Sequence, residues 1–209
     1  MPRVRVPPML SDLVYGAVVS LDGAVYADLD ACPYCGGEVK GHDIRRKRFA
    51  TVIENRQQRA IFVFVHRYYC TGCGRLCYAK SPFYPGTRLG SPIIDFCVVN
   101  AHLFPYHHVS KLLEHMHILL DRGSVRNYAR GHFGDVPFLD MYGMRIPLSL
   151  LSLIESAFST GKEGPVIGAI PFGSGRLPPA NRALLSLLGG LQEGNKRNKQ
   201  EKKEKREPC

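Results

Sequence analysis

Apolar residues alternate with polar ones in the first eighty positions and recur at helical spacing from about residue 91 onward. Residues 13–20 and 25–29 flank Leu21-Asp22-Gly23-Ala24, and the Asp-Gly pair predicts a β-hairpin over residues 1–30. Residues 44–54 alternate basic and apolar side chains, and residues 60–69 are rich in Ile, Phe, Val and Tyr. These read as two strands joined by residues 55–59. Residues 81–86 form a linker stiffened by Pro82 and Pro85.

The period then changes. Ile94, Cys97, Val98 and Ala101 mark a first helix, with Ser91 as N-cap and Pro92 at its first position. Pro105 interrupts. Val109, Leu112, Leu113 and Met116 follow at i, i+3, i+4 and i+7, so residues 106–116 form an amphipathic helix. A short connection, 117–120, leads to a helix capped by Asp121, with Val125, Tyr128 and Ala129 inward and Gly131 as its stop. Residues 134–147 read as loop and 148–159 as a mostly apolar helix. Residues 161–179 are rich in Gly and Pro, with a short strand over 166–170, and residues 180–192 form a Leu-rich helix. The charged tail, 194–209, lacks apolar anchors and is predicted to be disordered.

The pattern gives an α+β fold: an N-terminal hairpin (1–30), a small β module (31–80), a helical pair (88–133), a helical and irregular segment (134–193) and the tail (194–209). The longest apolar stretches, 13–21 and 146–154, are broken by Gly, Ser or Pro and fall short of the roughly 20 residues a membrane helix needs. The N-terminus has no apolar signal-peptide core, so no signal peptide and no membrane partner are expected.

Cysteine placement adds chemistry to the β module. Cys32-Pro33-Tyr34-Cys35-Gly36-Gly37 is answered by Cys70-Thr71-Gly72-Cys73-Gly74-Arg75. Two matched Cys-x-x-Cys turns predict a tetrahedral site with ligands Cys32, Cys35, Cys70 and Cys73, most simply Zn2+ in a zinc ribbon, with rubredoxin-type iron as the alternative. A closed set of four thiolates leaves no open position, so the metal is expected to be structural. Gly36 and Gly74 stand where each turn needs a backbone angle that favours glycine. Cys77 is either a fifth thiolate or a small buried neighbour of the site, Cys97 is a core residue, and Cys209 ends the tail. Thiolates on metal fit a reducing, cytoplasmic compartment.

The net charge of +10 favours a polyanion. The outward side of the helix after Asp121 carries Arg122, Ser124, Arg126, Asn127 and Arg130. Helix, short turn, helix with such a face is the pattern of a helix-turn-helix, whose second helix enters the major groove of double-stranded DNA. The strand run Arg45-Arg46-Lys47-Arg48 is positioned to add phosphate contacts, or is simply a solvated edge. A homodimer is compatible with this reading. His102, His107, His108, His115, His117 and His132 read as surface or core residues; His108 and His115 are two turns apart, too far to share an ion. Asp135, Asp140, Glu155, Glu163 and Glu193 follow no convincing strand run, and no catalytic motif is legible.

Taken in order, Cys32-Pro33-Tyr34-Cys35-Gly36, Tyr68-Tyr69-Cys70-Thr71-Gly72-Cys73-Gly74, and Val109-Ser110-Lys111-Leu112-Leu113 leading to Asp121-Arg122-Gly123-Ser124-Val125-Arg126-Asn127-Tyr128 carry a resemblance. Over residues 31–133 the chain resembles the N-terminal DNA-binding region of prokaryotic insertion-sequence transposases. The resemblance implies a zinc ribbon, a helix-turn-helix and a DNA partner. It departs from the family at His117, where such turns often have Gly, and after residue 135, which does not look like an RNase H-like catalytic domain. The expectation is a zinc-containing, transposase-like DNA-binding protein without a catalytic site. A protein-docking zinc ribbon and a small metal-dependent nuclease are the alternatives.

Overall fold

In a computed structural model of the chain, the described residues are 4–159. The readings for 160–209, including the strand at 166–170, the helix at 180–192, the tail, Glu163, Glu193 and Cys209, lie outside them. The elements run α1 (Pro8–Val19), β1 (Val25–Tyr26), β2 (Val39–Glu54), β3 (Gln57–Cys70), β4 (Leu76–Tyr78), α2 (Ser91–Asn100), α3 (Tyr106–His115), α4 (Arg122–Ala129), β5 (Phe138–Met141), β6 (Met144–Pro147) and α5 (Leu148–Ser159). Both helices and sheets are present, as an α+β class requires.

The two alternating runs form one long antiparallel hairpin, β2 against β3. Its strands extend beyond the predicted bounds, and the predicted joint over 55–59 shrinks to Asn55 and Arg56 at φ 50 and 64. Two left-handed residues are what a two-residue hairpin turn needs to match strand twist. In β3, Ile61, Val63 and Val65 are fully buried, while Phe62, Phe64 and His66 between them keep part of their surface. One face of the hairpin therefore lies on the core. β1 pairs parallel with β3 at Phe64 and Val65, and β4 pairs antiparallel with its far end at Arg67–Tyr69.

A single apolar cluster joins Val14, Ala17 and Val18 of α1 to Phe49, Ala50 and Val52 of β2, then to Ile94, Phe96 and Cys97 of α2, Leu112 and Leu113 of α3, Val125 of α4, Ile146 of β6 and Leu150 of α5. Cys97 is a core residue, as its helical position indicated. The β module thus shares its core with the helices. The half of the hairpin nearest its turn is buried by helices. The knuckle half has only a small separate cluster of Cys32, Cys70 and Cys77, with Leu29 and Val39 against it.

Two elements differ from expectation. The N-terminal hairpin is a helix, α1, followed by a short strand. Leu10, Val14, Ala17 and Val18 recur at helical spacing and are buried, and Pro8 occupies the first turn. The Asp22-Gly23 turn does form, with Gly23 at φ 83, but it delivers β1 to a distant strand instead of back onto residues 13–20. The loop over 134–147 is a second hairpin, β5 and β6, turned by Tyr142 and Gly143 at φ 54 and 74. Boundaries shift elsewhere: Gly90, not Ser91, is the N-cap of α2, and Met116 is the C-cap of α3.

α2 is the element on which the others converge. Its Asn100 amide donates to the Arg145 carbonyl at 2.7 Å and accepts the Arg145 N–H at 3.0 Å, fixing β6. Its buried Asp95 accepts the Tyr84 hydroxyl at 2.6 Å and the Ser149 hydroxyl at 2.5 Å, fixing the linker and α5. Burial pushes the Asp95 carboxyl above its ordinary range.

The connection between α3 and α4 lies along the free edge of β2. Ile118 bridges Val52, the Ile53 N–H donates to the His117 carbonyl at 2.9 Å, and the Leu119 N–H donates to the Thr51 carbonyl at 2.8 Å. His117 is at φ 61, so it does take the left-handed angle that glycine takes elsewhere.

Candidate metal centre and nucleic-acid interface

The two Cys-x-x-Cys turns have the same backbone construction. Gly36 N–H donates to the Cys32 carbonyl at 2.9 Å and Gly74 N–H to the Cys70 carbonyl at 3.0 Å. Gly36 and Gly74 both have φ 71, the angle expected for them from the spacing. Pairing of Val39 with Cys70 at the end of the hairpin brings the turns face to face. The ligand atoms of Cys32, Cys35, Cys70 and Cys73 all lie within 4.8 Å of one another. Cys35 and Cys70 sulfurs are 3.5 Å apart, and Cys32 and Cys73 sulfurs 3.7 Å apart. A tetrahedron with metal–sulfur bonds of about 2.3 Å has sulfur–sulfur edges of about 3.8 Å. The four cysteines therefore fit one metal ion.

Ionisation of all four sulfurs calls for a cation among them. Burial opposes the Cys32 thiolate, but the N–H groups of Tyr34 and Cys35 and the thiols of Cys77 and Cys70 bring it down to about 6. The Cys73 N–H lowers Cys70 against the effect of burial. Gly37 N–H favours the Cys35 thiolate, yet the sulfurs of Cys70, Cys73 and Cys32 push it up to about 12. Four sulfurs this close cannot all ionise unless positive charge sits among them.

Cys77 projects from β4 opposite Tyr68. It is 2% exposed and 3.6 Å from the Cys32 sulfur, yet it is not one of the four mutually close ligands. It stands beside the site as a buried thiol, and burial together with the Cys32 contact pushes it up to about 11.

Among the other candidates, α4 is held by Val125, fully buried, and by its cap. The Asp121 carboxylate accepts the Ser124 N–H at 2.9 Å and the Ser124 hydroxyl at 2.6 Å. Ser124 is thus committed to the cap, while Arg122, Arg126, Asn127 and Arg130 are exposed. Among the described residues no ion pair engages those three arginines.

The Ser124 hydroxyl, then its N–H, hold the Asp121 carboxyl below its ordinary 3.8. A depressed carboxyl contributes stability above 3.8 that is lost as pH falls through its folded value. Asp121→Ala is therefore expected to cost about 1 kcal/mol at neutral pH. In thermal melts the gap to wild type should close below about pH 3.8. A gap independent of pH would mean that the cap acts through backbone conformation alone.

The basic run of β2 is divided between faces. Arg46 and Arg48 pair across to Phe64 and Phe62, whereas Arg45 and Lys47 pair with Val65 and Val63 on the core side. Lys47 is half-buried, its ammonium 3.8 Å over the Phe83 ring, and burial lowers its pKa. Arg45 lies 3.7 Å from Asp43. Only Arg46 and Arg48 share the outward face. Arg88 was not singled out by sequence, because it sits in an irregular segment. Burial raises the pKa of Tyr128 of α4, and the charges of Arg48 and Arg88 pull against that rise.

Among the described residues the four cysteines are the group of ligating side chains that gathers. His108 stacks on Phe104 at 4.9 Å, and His117 packs on Tyr15 at 5.2 Å. Asp140 pairs with Arg145 at 3.5 Å, and Asp135 and Glu155 join no ligand cluster. No family model matches this chain, and no significant match to it is found among curated proteins or solved structures.

Proposed function

We propose that the chain is a zinc-containing protein that binds double-stranded DNA through α4. The observation that supports this best is the surface of that helix. Arg122, Arg126, Asn127 and Arg130 are exposed without acidic partners on a helix that Val125 anchors in the core. An anchored helix presents side chains in one geometry, and Arg and Asn are the residues that read guanine and adenine in the major groove. On this reading α3 and α4 act as a helix-turn-helix, supported against β2 by the Ile118 bridge. Arg48 and Arg88, whose charges are felt at Tyr128 of that helix, add phosphate contacts.

The four-cysteine site acts as the metal staple of a zinc ribbon. Four thiolates fill a zinc tetrahedron, so the metal orders the hairpin end and takes no part in chemistry. The free thiols fit a reducing cytoplasm, and the order of parts fits a transposase-derived DNA-binding protein.

Sequence selection from random duplexes at two salt concentrations tests this. Arg126→Ala is expected to weaken the selected site by about 1–3 kcal/mol and relax preference at one base position. Equal loss on every sequence would confine Arg126 to phosphate contact. Failure to bind any duplex at low salt refutes the reading. It would turn attention to the knuckle end, where Tyr34, Tyr69, Leu76 and Tyr78 are exposed and suit docking to a protein.

A further inference from the structure

We propose that the face of the sheet turned away from the core is a stacking platform for single-stranded DNA. The choice of DNA over other polyanions rests on the duplex-binding reading above; the platform itself does not.

β3 places an aromatic ring at every second residue along that face, Phe62, Phe64 and His66, and the next in the series, Tyr68, packs against the core cluster and donates its hydroxyl to the Ala27 carbonyl. Successive rings stand about 6.6–6.8 Å apart along a strand, a step that an extended single strand of bases can follow. The core-facing positions of this stretch of β3 are aliphatic, Ile61, Val63 and Val65. Phe62 and Phe64 belong neither to the core nor to the partly buried side chains packed against it. They keep part of their surface in solvent. Neighbouring rings left partly in water on an ordered strand form a patch that a ligand can cover.

The chemistry of the neighbouring strand indicates what covers them. Arg46 and Arg48 flank Phe64 and Phe62 in register, and the Arg46 guanidinium lies 3.6 Å from the centre of the Phe62 ring. A planar cation already stacked on a ring holds the place where a base would stack, and it can move to a phosphate when the base arrives. The His66 ring lies 6.2 Å from that of Tyr68 at 28° and marks the end of the platform nearest the knuckles. The acid at this edge, Asp22, already accepts the Arg59 guanidinium at 2.9 Å and the Phe62 N–H at 3.0 Å. The platform is thus aromatic and cationic, which matches a polyanion of planar rings.

Fluorescence anisotropy with labelled oligothymidylate of about 15 nucleotides, a length suited to one small domain, and with a duplex tests this on the full chain. Phe64→Ala is expected to weaken oligothymidylate binding roughly tenfold and to leave duplex binding unchanged. Arg126→Ala should do the reverse. Arg46→Ala, an exposed substitution, covers the case in which Phe64→Ala disturbs the fold, and should lower oligothymidylate affinity and its salt dependence together. Equal loss of both ligands in Phe64→Ala and Arg46→Ala would reduce the face to unspecific charge and overturn the proposal. So would no binding of oligothymidylate, tighter binding of oligouridylate, or a dimer that Phe64→Ala dissociates. Loss of duplex binding alone would sink the duplex reading and leave the platform standing.

Discussion

Cys70→Ser is expected to abolish metal binding and to melt one half of the hairpin while the other half stays folded. Cys70 is fully buried, and it joins the second knuckle to Val39 and to Cys35. Serine preserves the shape but replaces a soft thiolate with a neutral hydroxyl, a poor ligand for a sulfur-selecting ion. Native mass spectrometry should show one zinc on the wild type and none on the variant. Cobalt substituted into the wild type should give the absorption of a tetrahedral thiolate site. In small zinc modules the metal supplies apparent folding free energy of about 10–16 kcal/mol, because nothing else holds them. Here that dependence is confined to the knuckle end. Amides of residues 39–44 and 67–78 should lose hydrogen-exchange protection in the variant or in chelator. Amides of residues 50–54 and 58–65 should keep it, because Ala50, Val52, Ile61 and Val63 sit in the helical core. Global unfolding on metal loss would show that the hairpin melts as one unit. Unchanged exchange would show that the sulfur cluster needs no ion.

The parts of this fold that were legible in the sequence are those fixed by local rules. Knuckle spacing placed the four sulfurs, and the i, i+3, i+4, i+7 pattern of Val109, Leu112, Leu113 and Met116 placed α3. Asp121 was legible as a cap because its side chain satisfies a donor three residues away. What was missed depends on partners distant in sequence. The first thirty residues carry both a helical stripe and an Asp-Gly turn, and both form; that the turn delivers Val25 to Phe64 and not back onto residues 13–20 depends on a strand distant in sequence. Nothing local marks Tyr142 for a left-handed angle, so the β5–β6 turn gave no signal. Arg45, Arg46, Lys47 and Arg48 read as one patch. Their division followed from which face of the hairpin the helices bury, and no window of ten residues contains that information.

Gly90→Ala should cost about 2–3 kcal/mol through overpacking, and the cost should come from one ring. Gly90 is at φ −59, an angle any residue adopts, so backbone freedom does not explain the glycine. A Cβ there would lie 2.3 Å from Cε2 of Phe49 and 2.6 Å from Cζ. The ring cannot retreat easily. Phe49 is fully buried, it meets Phe83 edge-on at 6.0 Å, and its carbonyl accepts the Gly90 N–H at 2.9 Å. The added methyl must therefore push β2 and the start of α2 apart. That junction aligns Asp95 and Asn100 with their partners on α5 and β6. For a chain of 209 residues the midpoint of thermal unfolding should fall by roughly 5–10 °C. Phe49→Leu removes the ring edge and alone should cost about 1 kcal/mol or somewhat more. If the clash is the cause, adding Phe49→Leu to the Gly90→Ala variant should recover part of the loss, making the double variant more stable than the two single effects predict. Strict additivity would move the cost to the helix terminus, where alanine is a poorer N-cap than glycine.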